Sequence, residues 1–207
     1  MEPIIEMVQV GIDIGQRQDP TAVVVCEVQR RDYEIDGLGY PSGGVFHYVG
    51  RHVERLPLGT PYPAVADRVM DIHAKLKDKN ALYWVDATGV GQPVVDLLNE
   101  AGLWGYLTPV YLTGTDRAVL AGGQLRLGKA LMVSRLQVLL QGGRIHLSDT
   151  PESKALIDEL LGYEIRINDN ANAQFGAFKV GTHDDLATAL GLACWQEPMT
   201  GPAAILI

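Results

Sequence analysis

The sequence predicts an α/β protein built on a central mixed sheet, three antiparallel strands followed by parallel ones, with helices flanking it. Three observations carry that prediction. Near the amino terminus, Val8, Val10, Ile12 and Ile14 alternate with Gln9, Gly11 and Asp13, a period of two that marks a strand. The turn from Gly15 to Pro20 then sends the chain back into a second β-rich run, Ala22 to Val28, because Gly15 can take positive φ and Pro20 cannot extend a ladder. Beyond residue 60, short apolar runs alternate with segments of helical spacing, which is the rhythm of βαβ units.

Taken in order, residues 30–44 are polar and glycine-rich and lead to 45–53, which alternate again as a third antiparallel strand. Val65, Val69, Ile72 and Leu76 recur at helical spacing, so a helix runs from Thr60 or Tyr62 to Lys77. The nearly continuous apolar run Ala81 to Asp86 predicts a buried strand in parallel pairing, ending in an acid. Pro93 suits the first turn of a helix continuing to Ala101, and 107–112 read as the next strand. Residues 113–128 predict a loop or hairpin. Lys129 to Gln141 is helical, with Leu131, Leu136, Val138, Leu139 and Leu140 apolar, and Gly142-Gly143 ends it. A short strand at 144–147 precedes a helix at 151–161 with Leu156, Ile157, Leu160 and Leu161 inward, then a strand at 163–167, a loop at 168–174 and an extended stretch at 175–180. The small residues from Gly181 to Trp195 suit a helix that packs closely on a sheet. One domain over 1–196 is expected, followed by a Pro- and Gly-containing tail at 197–207.

Composition narrows the class. Across 207 residues, 47% are hydrophobic and 20% charged, ordinary values for a soluble globular protein. No apolar run is long enough to span a membrane, and the acidic start Met-Glu-Pro-Ile-Ile-Glu is no secretion signal, so a cytoplasmic protein is expected. Cys26 and Cys194 lack metal-type spacing and read as buried thiols. The net charge of −8 argues against nucleic acid as a partner, but Arg117, Arg126, Lys129, Arg135 and Arg144 lie in a stretch without Asp or Glu. That local excess reads either as a DNA-binding surface or as a solvated helix face balanced by acids elsewhere.

Three acidic positions stand at the ends of core elements: Asp13, Asp86, and the pair Asp184-Asp185 that opens the last helix. Each has a structural reading. Asp13 suits the amides of the following turn, Asp86 suits the turn at Thr88 to Gly91, and Thr182 to Asp185 fits a helix-capping arrangement. Gathered together, however, carboxylates repel one another, and divalent cations with hard oxygen ligands, Mg²⁺ or Mn²⁺, relieve that repulsion. Two such ions activate water and hold a phosphodiester for in-line hydrolysis. His183 is a possible accessory at such a site, or an exposed loop histidine.

The residues in this order carry a family resemblance. Gly11-Ile-Asp13-Ile-Gly with Asp19-Pro-Thr-Ala, then Tyr83-Trp-Val-Asp86-Ala-Thr-Gly-Val-Gly, then the run from Lys129 to Arg144, then Gly181-Thr-His-Asp-Asp-Leu resemble the nuclease domain of tailed-phage and prophage terminase large subunits, over roughly residues 8–196. The resemblance implies an RNase H-like fold and a metal-dependent endonuclease that cuts double-stranded viral DNA during genome packaging. It matches Asp13 and Asp86 to the first two metal-binding acids and places the third in Asp184-Asp185, with Asp185 favoured as the direct ligand. It also implies two ions, Mg²⁺ or Mn²⁺, a host-cell cytoplasmic setting, and a packaging ATPase domain, a small terminase and a portal as partners. No Gly-x-x-x-x-Gly-Lys-Ser/Thr loop occurs, so the expectation is an excised domain or a free-standing nuclease. Two other readings compete. An actin- or sugar-kinase-like nucleotide-binding protein would use Asp13-Ile-Gly15 and Asp86 to Gly91 as phosphate loops, and a RuvC-like junction resolvase would differ in substrate.

Overall fold

In the computed structural model, residues 1–15, 19–89, 91–162, 164–167, 173–176 and 183–198 are described. Alternating apolar side chains form β1 (Ile4–Asp13), which pairs antiparallel with β2 (Ala22–Ile35), and β2 pairs antiparallel with β3 (Pro41–Arg55). The second and third strands extend further than their hydrophobic patterns predict. Arg30 to Gly44, expected as a polar connection, is mostly a two-stranded ribbon, because its side chains are satisfied across the ladder. Arg30 bonds Glu6 at 2.5 Å and lies over the ring of Phe46, while Asp36 Oδ1 accepts the amides of Leu38 and Tyr40 at the ribbon's tip.

The chain then enters α1 (Tyr62–Leu76), β4 (Ala81–Asp86), α2 (Gly91–Leu98), a single π turn at Asn99–Leu103, and β5 (Leu107–Thr113). The predicted hairpin follows as β6 (Ala118–Ala121) and β7 (Gln124–Gly128). After it come α3 (Lys129–Gln141), β8 (Ile145–Leu147), α4 (Pro151–Gly162), β9 (Glu164–Ile167), β10 (Ala173–Gly176) and α5 (Asp185–Ala193). Among the described residues, eight strands make one sheet in the order β6-β7-β5-β4-β1-β2-β3-β8, with β9 and β10 paired separately. β4 runs parallel to β1, β5 to β4, β7 to β5 and β8 to β3, so the mixed sheet is as expected. Most of the predicted tail lies outside the described residues.

Helices cover both faces. Val8, Val10 and Ile12 pack with Val65 and Val69 of α1 and Val94 and Leu98 of α2, whereas Ala22, Val24 and Cys26 face α3, α4 and α5. Each fully buried aliphatic side chain contributes about 1.5–3 kcal/mol, so this double cover is the main source of stability. Helix α5 is buried along its whole length, and both cysteines are buried thiols beside it. Two helices are turned differently from their sequence patterns. In α3, Met132 and Val133 go inward and Val138 is exposed; in α4, Ser153, Leu156 and Glu159 go inward, while Ile157 and Leu161 face solvent. The reason in α4 is a charged partner for Glu159 that its own helix does not reveal.

Candidate active site

Register places the acids. Ile12 of β1 lies opposite Val85 of β4 in a parallel pair, so the residues that end these strands, Asp13 and Asp86, stand at the same edge of the sheet. Helix α5 packs across the β1 face that carries Gln9, Gly11 and Asp13, and Gly11 is what lets it approach. A Cβ there would lie 1.9 Å from the carbonyl oxygen of Ala189. That close packing brings the first turn of α5, with Asp184 and Asp185, to Asp13.

The electrostatics follow from this crowding. Burial first, and then the charges of Asp86, Asp184 and Asp185, push the Asp13 carboxyl well above its usual range, with Lys129 opposing. Asp86 is also raised by burial, against hydrogen bonds from Thr88 and the charge of Lys129. Its Oδ1 accepts the Thr88 amide at 2.8 Å, so it does organise the following turn; a carboxylate has lone pairs for both tasks. Lys129, the first residue of α3, places Nζ 3.2 Å from Asp184 Oδ2. Asp184 stands at the N-cap position of α5, yet its side chain makes no capping bond, and Thr182 lies outside the described residues.

Asp185 is held differently. It is 3% exposed, and Arg55 Nε, at the end of β3, donates to its Oδ2 at 2.7 Å. Arg55 also pairs through Nη2 with Glu159 of α4, and the other oxygen of Glu159 accepts the Ala187 amide at 2.9 Å. Burial raises the Asp185 carboxyl, although Arg55 and His183 oppose it. Its Oδ1 is buried without a hydrogen-bond partner among the described residues; His183 Nδ1 lies 3.8 Å from it and 3.7 Å from Asp19 Oδ1.

Among the described residues, no three His, Cys, Asp or Glu side chains converge tightly enough to hold an ion as they stand. The donor set nevertheless suits a hard divalent cation. It offers the oxygens of four acids, of which Asp13 is raised by burial and then by the charges of the other three, and one buried oxygen with no hydrogen-bond partner among the described residues.

The five basic candidates separate. Arg126 is exposed on β7 and Arg117 is exposed in the loop before β6, 3.9 Å from Asp116. Lys129 belongs with the acids. Arg135 and Arg144 turn inward: Arg135 bonds the Cys194 carbonyl at 2.6 Å and the Tyr48 hydroxyl at 2.7 Å, and Arg144 bonds the Phe46 carbonyl at 2.7 Å and Glu197 at 2.8 Å. Sequence reasoning missed Arg55 and Glu159. Glu159 did carry a signal, as an acid on the face shared with Leu156; Arg55 carried none.

No family model matches the chain, and no curated protein matches it. Solved structures do. The large terminase nuclease from thermophilic phage G20c is 21% identical, with a TM-score of 0.64 over 93% of this chain and 83% of that one. The same nuclease is also known with bound magnesium and with bound cobalt. The large terminase nuclease domain of bacteriophage SPP1 with bound manganese is 13% identical, with a TM-score of 0.54 over 91% of this chain and 85% of that one. The human cytomegalovirus terminase nuclease domain is 12% identical, with a TM-score of 0.52 over 92% and 84% of the two chains. The mixed sheet, its flanking helices and the placement of its elements therefore give this chain the RNase H-like fold of the large terminase nuclease domains.

Proposed function

We propose that this chain is an endonuclease that hydrolyses double-stranded DNA with two divalent cations, Mg²⁺ or Mn²⁺, held by Asp13, Asp86, Asp184 and Asp185. The observation that carries this reading is the meeting of Asp13 and Asp86, at the ends of adjacent parallel strands, with the start of α5, which packs closely on β1 at Gly11; burial and then the charges of the other three acids raise Asp13. Asp185 is the more direct ligand of the final pair, because Arg55 fixes one of its oxygens and the other is buried with no hydrogen-bond partner among the described residues. The neighbours with bound magnesium, cobalt and manganese support a divalent ion on this fold.

Bound cations would supply Lewis-acid stabilisation of phosphate charge and an acidified attacking water. The chain's own residues do the positioning. β1 and β4 present two carboxylates, the start of α5 presents two more, and Lys129 places its ammonium beside them, paired with Asp184, where a phosphate oxygen would arrive. Arg117 and Arg126 offer exposed charge to the DNA backbone; contacts of that kind set register rather than read bases. Water adds at phosphorus and the 3′-oxygen leaves, giving 3′-hydroxyl and 5′-phosphate ends. Work in the host-cell cytoplasm beside a packaging ATPase, a small terminase and a portal completes the reading. Among the described residues, no helix is long and apolar enough to cross a membrane.

Incubation with supercoiled plasmid tests this. Nicking and linearisation are expected with Mn²⁺ or Mg²⁺ in the absence of ATP, and none with excess EDTA. Undiminished cutting in EDTA would overturn the metal mechanism. Tight Mg²⁺-ATP binding lost on Asp13→Asn, with no cutting in Mn²⁺, would replace it with the kinase-like reading, which the structural likenesses do not favour.

A further inference from the structure

The N-cap position of helix α5 is taken by Asp184, whose side chain makes no capping bond. It bonds Lys129 instead. One of the amides left over in the first turn, that of Ala187, is taken by Glu159 from α4, 28 positions back in the chain. Glu159 in turn pairs with Arg55, and Arg55 bonds Asp185. Two carboxylates whose side chains are 7% and 4% exposed thus share one guanidinium.

Stability alone does not favour such an arrangement. Replacing buried ionic triads by well-packed apolar residues is often neutral or stabilising, whereas a triad fixes the orientation of its members. What is oriented here is Asp185. Its Oδ2 is anchored, and its Oδ1 is buried with no hydrogen-bond partner among the described residues. Arginine is required for this because its Nε and Nη2 meet two different carboxylates from one planar group, which a lysine ammonium cannot do with the same fixed geometry.

We infer that Arg55 and Glu159 are positioning residues which, through Asp185 and the Ala187 amide, fix the first turn of α5 and hold Asp185 Oδ1 as a ready cation ligand. The inference rests on the metal-nuclease reading above. It divides the two acids at the start of α5. Asp185 is set in place by β3 and α4, and Asp184 is released from capping to share Lys129 with the approach to the site.

Mn²⁺ titration calorimetry on the purified chain tests this, with thermal melting as the control for folding. Groups that orient a metal's ligands typically change its affinity by about 10–100-fold. Arg55→Lys and Glu159→Gln should therefore weaken Mn²⁺ binding by at least about tenfold. They should slow plasmid nicking at limiting Mn²⁺ and recover at saturating Mn²⁺, with the KM for DNA unchanged. Glu159→Gln keeps an acceptor for the Ala187 amide, so it reports on the pairing with Arg55 even if Arg55→Lys melts early. Wild-type Mn²⁺ affinity in a folded Glu159→Gln variant would overturn the inference while leaving the nuclease reading intact. Absence of Mn²⁺ binding and cleavage in the wild-type chain would instead overturn the nuclease reading and the inference with it.

Discussion

At the amino end of α5, Asp184 and Asp185 join Asp13 and Asp86; burial keeps the Asp13, Asp86 and Asp185 carboxyls raised, and the nearby cations Lys129 and Arg55 only oppose it. At the carboxyl end of the same helix, Arg135 donates to the Cys194 carbonyl and the Tyr48 hydroxyl, Gln9 Nε2 donates to the Gln196 carbonyl at 2.7 Å, and Arg144 pairs with Glu197. The second end follows the rules for a stable fold, with cations and donors on the last carbonyls of a helix. The first end breaks them. One helix thus separates a region arranged for cohesion from one whose charge is left incompletely balanced, and the proposed cation site lies in the latter.

The sharpest way to break this comparison is to neutralise an acid. Asp13→Asn or Asp86→Asn should lower plasmid cleavage beyond the roughly hundredfold typical of losing a group that only orients a metal ligand. Because each removes a charge from a repelling set, the unfolding free energy in urea should stay at or above that of the wild type. A variant that cuts at the wild-type rate would remove its residue from the site.

Truncation at the opposite end should do the reverse. Arg135→Met strands the Tyr48 hydroxyl and the Cys194 carbonyl, and a loss of about 2–3 kcal/mol is expected in urea denaturation. Cleavage by the fraction that remains folded should be unchanged, since Arg135 touches none of the four acids. Wild-type stability would show that the clamp holds nothing.

The pH dependence sharpens the contrast further. Asp13, Asp86 and Asp185 all have carboxyls raised in the folded chain, so the folded chain retains protons that the unfolded chain has released. Their contribution to stability is complete below the unfolded carboxylate value of about 4 and is lost as pH rises through the folded values. Without metal, the melting temperature should therefore carry a penalty at pH 7.5 that is absent at low pH. Mn²⁺ should raise the melting temperature more at pH 7.5 than at pH 5, since at a hundredfold excess over Kd binding adds about 2.7 kcal/mol to the stability. An equal Mn²⁺ effect at both values would separate the ion from these acids.

The smallest effects belong to the exposed cations. Arg117→Ala and Arg126→Ala should leave stability unchanged and lower the salt slope of DNA binding by about one each. Arg144→Ala should not change the slope, because its guanidinium is engaged with Phe46 and Glu197. A slope that falls only for Arg144 would reverse this assignment.

The sequence by itself determined the sheet, its order of antiparallel and parallel strands, and the acids at the strand ends. Those features depend on local periodicity and on where a run of apolar residues stops, as at Asp13 and Asp86. It also made the 30–44 ribbon look like a connection, since charged side chains that are satisfied only across a ladder leave no alternation to read. Tertiary structure alone decided which charges are balanced. Arg135 and Arg117 look alike in one basic stretch, yet one meets a helix end and the other faces solvent. Arg55 and Asp185 lie 130 residues apart, and Glu159 reaches them only because α4 turns it inward. Pairings of that separation leave no periodic trace, because the energy that selects them arises only when β3, α4 and α5 pack together.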